Sequence, residues 1–506
     1  MLFKDRICAI VAARDARGML RQLRRALRLT RTVELRLDWL ETESKIRPFL
    51  GSLKQQGAGS PRVVLIATCR RQRAGGRFRG NVTEQLRLLQ LAMKSGCRGI
   101  DIEIETAEAR PASGRLPSFA PARSIISFHE FKRTPQSLRQ VIHRLNRIDE
   151  SAMVKLAALA HSLADARRIL DLARRRKNVI AVPMGEVALP ARILALREGS
   201  ALAYAPVETA IAPGQISLDE MKNLYRADRL DRRTRVYGVI GDPVSHSLGR
   251  VLHNAGFHAR RVNAVYLPFL VRDLRDFLSA IRPFGIRGFS VTLPHKEGIL
   301  RHLDECDPLA ERIGAVNTVV VRGSGELVGY NTDYVGVLRA LERRVTLGGS
   351  RVLILGAGGA ARAVAFALAQ GHATVYVCAR RMKRAEVLAR AVGGEAIPRS
   401  QLKREAFDAI VNATPVGMHP RLNESPLAVG ELNCRLVFDL IYRPRETKLL
   451  QLARRRGIET VSGLVMFLAQ GAAQWEIWMG ERAPEAAMHR AVAAALRREE
   501  RAGKSR

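Results

Sequence analysis

Short apolar runs that recur at regular intervals over the first 206 residues constrain the fold of this chain most. Helical patterns lie between them. In Asn81–Ser95, for example, Asn81 can cap a helix with Glu84 three residues on. Eight strands that alternate with helices over about 225 residues predict a (β/α)8 barrel. The runs are Ile7–Ala12, Val33–Leu40, Val63–Arg70, Gly99–Glu105, Ser124–Glu130, Met153–Ala160, Val179–Gly185 and Leu202–Pro206.

Polar and charged residues fall within these strands or at their carboxyl ends, which is where a barrel of this type places its chemistry. An isolated charge inside a strand can belong to an ordinary ion pair. Several strands that direct such groups to one barrel mouth instead predict a functional site. The residues are Glu34, Arg36, Asp38, Arg70, Asp101, Glu103, His129 and Lys155.

Lys155 is the most informative of these residues. Only 13 of the 84 basic residues are lysine, so arginine is the usual cation of this chain. Arginine stays protonated, whereas a lysine can lose its proton near neutral pH and attack a carbonyl. With His129 as an imidazole base on the neighbouring strand, Lys155 indicates Schiff-base chemistry. Taken singly, the two residues are compatible with a snorkelling lysine and a satisfied core histidine.

A glycine-rich turn marks a second functional region after a charged linker at residues 226–235. Arg351–Ala361 reads as a strand, a glycine turn and the start of an Ala-rich helix. Gly356, Gly358 and Ala361 fit the G-x-G-x-x-G/A pattern, in which the backbone approaches a pyrophosphate at the helix N-terminus. This segment therefore predicts a Rossmann-type dinucleotide-binding lobe.

The residues after the next predicted strand indicate which dinucleotide binds. That strand, Ala373–Cys378, is followed by Arg380, Arg381 and Arg384 with no acidic residue among them. An acidic residue there would bind the ribose hydroxyls of NAD, whereas arginines suit a 2′-phosphate. We therefore expect NADP, with ordinary surface charge as the alternative.

Composition limits the classes of protein to which this chain can belong. The six cysteines are scattered without a CxxC pair, which predicts a reducing cytoplasm and no metal site. We find no signal peptide and no apolar stretch long enough for a membrane span. The net charge of +36 is spread along the chain, and aromatic residues make up only 5%. This predicts a solvated arginine-rich surface without a specific nucleic-acid site.

Residues 5–225 resemble type I 3-dehydroquinate dehydratases. The resemblance is carried by Glu34-Leu-Arg-Leu-Asp38, Gly75-Gly76, Asp101-Ile-Glu103, Ser127-Phe-His-Glu-Phe131, Val154-Lys155, Met184-Gly185 and Ala212-Pro-Gly-Gln215. It implies that Lys155 forms an imine with the substrate ketone while His129 removes the adjacent proton. It further implies substrate contacts from Glu34, Arg36, Arg70, Arg192 and Gln215.

Two positions depart from that family pattern. Ala74 stands where the family has a glutamate just before the paired glycines, and Ile211 stands where it has a serine before Ala212. The missing carboxylate should weaken the orientation of the catalytic histidine or alter its pKa.

The region from about residue 236 to the C-terminus resembles shikimate dehydrogenases. The matching segments are Val239–Ser247, Ser290–Lys296, Gly314–Asn317, Gly329–Asp333, Asn412–Met418, Asp439–Tyr442 and Gly463–Gln470. The resemblance implies Lys296 and Asp333 as the proton-transferring pair. It implies a substrate pocket of Ser247, Thr292, Asn317, Tyr442 and Gln470, and cofactor contacts from Gly356, Ala357, Gly358, Gly359, Ala360, Gly463 and the three arginines. Gly249 replaces a second serine of the family, and Arg250 replaces a proline.

These patterns predict a barrel over residues 1–228, a linker at 229–235, a shikimate-binding lobe at 236–337 completed by helices at 465–500, and an NADP lobe at 338–464. The combined prediction is a bifunctional enzyme that dehydrates 3-dehydroquinate and reduces the product, 3-dehydroshikimate, to shikimate. Two alternatives remain: a quinate/shikimate dehydrogenase with an impaired barrel, and a nucleic-acid-binding protein on an enzyme scaffold. The oligomeric state is not predicted.

Overall fold

The computed structural model describes residues 3, 5–53, 62–109, 123–208, 214–244, 247–342 and 344–504. The chain forms two compact units. One contains Met1–Arg235 and Phe269–Gly285, and the other contains Val236–Pro268 and Ile286–Arg506. Within the described ranges, no helix combines the length and the apolar character that a bilayer crossing requires. The lobe boundaries expected from the sequence stay predictions.

The first sheet has eight parallel strands, paired in the order β7-β6-β5-β4-β3-β2-β1-β8. The predicted (β/α)8 barrel is thereby confirmed. The strands are β1 Ile7–Val11, β2 Thr32–Arg36, β3 Val64–Thr68, β4 Gly99–Glu103, β5 Arg123–Glu130, β6 Met153–Leu159, β7 Val179–Met184 and β8 Ala203–Pro206. The helices are α1 Ala16–Leu27, α2 Glu43–Leu53, α3 Val82–Lys94, α4 Ile104–Glu108, α5 Leu138–Asn146, α6 Leu163–Arg175 and α7 Leu189–Leu194.

Local signals account for several of these bounds. Helix α3 begins after Asn81, which exchanges side chain–backbone hydrogen bonds with Glu84 as its sequence predicts. The expected strand Val33–Leu40 is wrong at its end, because β2 stops at Arg36 and a 3-10 turn follows over Leu37–Leu40. A continued strand would place successive side chains on opposite faces. The turn instead buries Leu37 and Leu40 and allows the side chain of Asp38 to bind Arg36.

The second sheet is mixed and has the order β10-β9-β11-β13-β14-β12. Strand β13 pairs antiparallel with both β11 and β14, whereas β9 runs parallel to β11. The strands are β9 Arg235–Gly241, β10 Ala264–Leu270, β11 Ile286–Val291, β12 Glu305–Cys306, β13 Thr318–Val321 and β14 Leu327–Tyr330. The helices of this part are α8 Gly249–Ala259, α9 Leu274–Phe284, α10 Pro308–Ile313 and α11 Asp333–Leu341.

The third sheet has the order β17-β16-β15-β18-β19-β20 and is parallel throughout. The chain winds outward in both directions from β15, so a ligand crevice is expected at the carboxyl ends of β15 and β18. The strands are β15 Arg351–Leu355, β16 Thr374–Cys378, β17 Glu395–Ala396, β18 Phe407–Asn412, β19 Cys434–Asp439 and β20 Glu459–Ser462. The remaining helices are α12 Gly359–Gln370, α13 Met382–Ala391, α14 Lys448–Arg455, α15 Gly463–Met479 and α16 Glu485–Lys504.

Candidate active sites

Lys155 lies inside the barrel and is only 4% exposed. Its Nζ donates to Asp101 Oδ2 at 2.8 Å and lies 3.4 Å from Glu34 Oε1. The same ammonium sits 4.0 Å from the centre of the Tyr204 ring, within the range of a cation–π contact. Two carboxylates and one aromatic face thus hold the amine in place, as a positioned nucleophile requires.

Asp101 is the centre of the charged network in the barrel. Its Oδ1 accepts hydrogen bonds from Ser127 Oγ at 2.7 Å and from Arg70 at 3.1 Å, while its Oδ2 binds Lys155. Burial alone would raise the pKa of this carboxyl, but Lys155 and Arg70 outweigh it and hold the pKa well below the ordinary range. Asp101 is therefore a permanent anion that orients two of the predicted site residues.

His129 follows Ser127 on β5 at the spacing that directs both side chains to one face of the strand. Burial, followed by the charges of Arg70 and Lys155, lowers the pKa of its imidazole well below the usual value. The lowered pKa keeps the imidazole in its neutral form, which is the form that can accept a proton. Its Nδ1 is buried and has no hydrogen-bond partner among the described residues.

The remaining substrate-binding residues predicted for the barrel differ in whether their charge is already paired. Arg36 makes a two-pronged ion pair with Asp38 at 2.9 and 2.8 Å, and burial lowers the pKa of Arg192 to about 10. No carboxylate of the described residues lies within ion-pair distance of Arg192, so its charge is available to an anionic substrate. Gln215 is half-buried, and its role stays a prediction. Ile211, the departure next to Ala212, lies outside the described residues.

A cavity between the second and third sheets brings together all seven substrate and catalytic residues predicted for the dehydrogenase region. Their positions span more than half of that region, so only the fold unites them. They are Ser247, Thr292, Lys296, Asn317, Asp333, Tyr442 and Gln470. Helix α15 supplies Gln470 together with Met466, Phe467 and Gln474.

Lys296 and Asp333 form the ion pair at the centre of this cavity. Lys296 Nζ lies 2.5 Å from Asp333 Oδ2, and Asn317 Nδ2 donates to Asp333 Oδ1 at 2.8 Å. Asn317 is held in turn by Thr332 and Thr318 through its Oδ1. Asn317 therefore holds one carboxylate oxygen of Asp333, and Lys296 binds the other. In this arrangement the ammonium of Lys296 can contact a ligand in the cavity.

The other end of the cavity carries hydroxyl groups. Tyr442 hydrogen-bonds to Ser247, and its ring stacks on Phe467 at 4.5 Å. Gly249 lies beside them: a Cβ added there would come 3.2 Å from Ser247 Oγ and 3.3 Å from the hydroxyl of Tyr266. The site is tight at this position, so the absent serine removes a hydroxyl group without opening a space; the expectation of free space at Gly249 is wrong.

The glycine turn after β15 has the geometry of a dinucleotide site. Gly356 has φ +110°, and a Cβ there would approach Ala413 O to 3.0 Å. Helix α12 begins after Gly358 with no side-chain cap, so its first N–H groups are available to a phosphate. Gly463 is required for another reason, because a Cβ there would overlap the carbonyl of Leu440 at 2.1 Å.

The predicted 2′-phosphate residues lie together at the end of β16. Arg380, Arg381 and Arg384 are all exposed, and no acidic residue of the described chain pairs with them. Arg381 directly precedes α13, so its neighbours include that helix's uncapped N–H groups. The chemistry of this surface suits a phosphate monoester.

Several residues of these sites escaped sequence reasoning. Tyr204 and Ser127 contact the barrel network, and Tyr266, Ser290 and Gln474 line the dehydrogenase cavity. None carries a charge that would single it out in an apolar strand. Glu103, which the sequence grouped with Asp101, instead binds Arg71 and Gln85 away from Lys155.

Four family models match the chain in succession. Type I 3-dehydroquinase matches residues 7–232, and the shikimate dehydrogenase substrate binding domain matches 239–319. Shikimate / quinate 5-dehydrogenase matches 339–448, and the shikimate 5′-dehydrogenase C-terminal domain matches 463–493.

Whole proteins show the same similarity. A shikimate dehydrogenase (NADP(+)) of Moorella thermoacetica is 45% identical over 52% of this chain and 94% of its own length. A Thermus thermophilus shikimate 5-dehydrogenase, solved with NADP(H) and shikimate, is 37% identical over 52% of this chain and 99% of its own, with a TM-score of 0.48. The chloroplastic bifunctional 3-dehydroquinate dehydratase/shikimate dehydrogenase of Arabidopsis thaliana is 35% identical over 95% of this chain and 83% of its own length. The chain therefore belongs to the family of bifunctional 3-dehydroquinate dehydratase/shikimate dehydrogenases.

Proposed function

We propose that the barrel converts 3-dehydroquinate to 3-dehydroshikimate through a Schiff base on Lys155, and that the second unit reduces this product to shikimate with NADPH. The observation that carries the proposal is the pair of lysine–carboxylate contacts, buried Lys155–Asp101 and partly buried Lys296–Asp333, each in a different site. The first product is the second substrate, which gives one chain a reason to hold both sites.

In the barrel, the amine of Lys155 adds to the substrate ketone, and water leaves to give a protonated imine. This cation accepts electrons when His129 removes a proton from the adjacent carbon. The resulting enamine expels the hydroxyl group, which leaves as water with the proton returned by His129. Hydrolysis of the imine then releases the product and restores the amine. Arg192 and Arg70 supply positive charge for the substrate carboxylate and hydroxyls.

In the dehydrogenase, bound NADPH supplies a hydride to the carbonyl carbon of 3-dehydroshikimate. Lys296 donates a proton to the carbonyl oxygen as it becomes a hydroxyl, and Asp333 holds the lysine in position. The glycine turn at Gly356 and the helix start after Gly358 fit the pyrophosphate, while Arg380 and Arg381 fit the 2′-phosphate. Ser247 and Tyr442 would bind the substrate carboxylate.

The test is an assay of the purified chain with 3-dehydroquinate and NADPH, together and separately. We expect 3-dehydroshikimate to form without cofactor and NADPH to be consumed only after it forms. NADPH consumption with added 3-dehydroshikimate, but none with 3-dehydroquinate, would mean that the barrel is inactive and would favour the impaired-barrel alternative.

A second candidate, quinate oxidation, is favoured by one observation. Gly249 has no hydroxyl beside Ser247, so one hydrogen bond to the substrate carboxylate is missing, and quinate carries an extra hydroxyl on the carbon that bears this carboxylate. Comparing kcat/KM for shikimate and quinate decides between them, and we expect shikimate to be preferred.

All six cysteines are free, which supports a reducing compartment such as the cytoplasm for this chain.

A further inference from the structure

Asp439 is a buried carboxylate that neither reaction uses. It is the last residue of β19 and is fully buried. It therefore lies at the carboxyl end of a parallel strand, which is the end of such a sheet where ligands bind. Its carboxylate accepts three hydrogen bonds: from Ile441 N at 3.0 Å, from Asn412 Nδ2 at 3.0 Å and from Thr447 Oγ1 at 2.6 Å. These donors belong to three different segments of the chain.

The first segment is the loop after β18. Asn412 ends β18 and uses its Oδ1 to accept from the backbone N–H of Thr414 at 3.0 Å and from its hydroxyl at 2.7 Å. The adjoining Ala413 carbonyl is the group that Gly356 approaches closely. Asp439 is thus connected to the glycine turn at Gly356 through the side chain of Asn412.

The second and third segments enclose the loop that carries Tyr442. Ile441 precedes Tyr442, and Thr447 closes the loop as the N-cap of α14, where its hydroxyl also accepts from Leu450 N. Asp439 therefore anchors both ends of the 441–447 loop. Tyr442 is placed by this anchorage over Phe467 and beside Ser247 in the substrate cavity.

We propose that Asp439 is a positioning residue of the dehydrogenase, whose charged carboxylate joins the Tyr442 loop to the loop beside the nucleotide turn and thereby sets the affinity for the substrate carboxylate. This role rests on the proposed shikimate dehydrogenase function. Asp439 is not among the residues that line the substrate cavity, whereas Tyr442 is, so Asp439 acts through Tyr442.

The ionisation of Asp439 should be visible in the kinetics. Burial raises the pKa of this carboxyl to about 6, against the three hydrogen bonds, which lower it. No charged side chain contributes to that shift. The ionisable residues on the surrounding elements are Tyr442, Arg443, Arg445 and Glu446 on its loop, Lys448, Arg454 and Arg455 on α14, Asp408 on β18 and Glu459 on β20. Below about pH 6 the carboxyl is protonated and loses its charge-assisted bonds.

The experiment measures shikimate oxidation with NADP+ from about pH 5 to pH 9 in the full chain and in Asp439→Asn. The asparagine keeps the shape and removes the charge, so we expect KM for shikimate to rise about tenfold above pH 7, with a smaller change in kcat. The wild-type KM should rise toward that of Asp439→Asn as the pH falls through 6. A pH effect that is common to both proteins cancels in the ratio of their KM values.

Asp408→Asn is the matched control, because Asp408 lies near the opposite end of β18 and binds Arg351 N. It should leave KM for shikimate unchanged. Dehydratase activity in each preparation reports whether the chain has folded. A KM ratio of one at every pH in an active Asp439→Asn overturns the proposal, whereas absence of shikimate oxidation in the wild type overturns the proposed function itself.

Thr447 keeps the proposal testable if Asp439→Asn does not fold. Thr447→Val removes the shortest hydrogen bond to the carboxylate, and Thr447→Ser retains the hydroxyl. We expect a raised KM for shikimate in the valine variant and a wild-type KM in the serine variant. Equal KM values in the two variants would also overturn the proposal.

Discussion

The barrel and the dehydrogenase both pair a lysine with an aspartate, yet they surround the pair differently. Lys155 is enclosed by Asp101, Glu34 and the Tyr204 ring, and its side chain is 6% exposed. Lys296 has one carboxylate partner, and its side chain is 15% exposed on an open cavity. An enclosed amine suits covalent attack, because fixed groups can stabilise a cationic imine. An amine beside one anchored carboxylate suits proton donation.

The largest effect that separates the two sites is expected from Lys155→Ala. It removes the amine that is proposed to form the imine, so dehydration should fall by about a thousandfold or more while shikimate oxidation continues. Borohydride added with 3-dehydroquinate should leave a mass adduct on Lys155 of the wild type.

Lys155→Arg is the matched variant, because it keeps a positive charge between Asp101 and Glu34 without a nucleophilic amine. It should be as inactive as the alanine variant. An adduct on another lysine, or turnover by the arginine variant, would remove the distinction between the two sites.

Asp333→Asn tests the dehydrogenase side of the comparison. The amide can still meet Asn317 but cannot balance the charge of Lys296, so we expect kcat for shikimate oxidation to fall by about 10²- to 10⁴-fold. Dehydration in the same sample should be unchanged. An equal loss of both activities would indicate unfolding, and an unchanged kcat would exclude the pair from proton transfer.

The arginines after β16 give the next largest effect. Replacing Arg380 and Arg381 by glutamine should raise KM for NADPH about ten- to a hundredfold and leave KM for NADH almost unchanged, because only NADPH has the 2′-phosphate. Arg390→Gln, in the last turn of α13, is the matched control for loss of surface charge. A preference of the wild type for NADH would show that these arginines are only surface charge.

The smallest effect concerns the hydroxyl group that is missing at Gly249. Gly249→Ser should lower KM for shikimate by up to about tenfold and increase selection against quinate, since it adds a hydroxyl beside the carboxylate. A side chain there comes within 3.2 Å of Ser247 Oγ, so the neighbours must shift slightly. Gly249→Ala has the same crowding without the hydroxyl. A similar KM in both variants would assign the effect to packing alone, and a wild type that already prefers quinate would favour the second candidate function.

Much of the architecture was predictable because it rests on repeated or local patterns. The eight strands were found from apolar runs, and most observed bounds lie within one or two residues of the prediction. The glycine turn was found because its spacing has a direct backbone cause at Gly356. The end of β2 is not predictable from the pattern of Val33–Leu40, because it depends on a contact 39 residues away in the chain: Asp38 accepts a hydrogen bond from the backbone N–H of Arg77, and a 3-10 turn follows the strand.

The candidate sites were predictable to a smaller extent. Charged residues in apolar strands, such as Lys155, stand out in any sequence, and motif resemblance supplied Lys296 and Asp333. The role of Asp101 as a common partner of Lys155, Arg70 and Ser127 depends on the register of three neighbouring strands. A sequence contains the residues of such a network but not their distances.

The sequence by itself determined the fold class, the order of the two enzymes and the chemistry available at each lysine, because periodicity, glycine spacing and the type of each side chain can be read from the sequence alone. Only the tertiary structure decided which groups share a site. Helix α15 carries Gln470 to a cavity that also contains Ser247, more than 200 residues earlier, and Asn412 donates to Asp439 from a strand 27 residues away in the chain. The reason is physical: burial and hydrogen-bond geometry depend on contacts between segments that are remote in the chain.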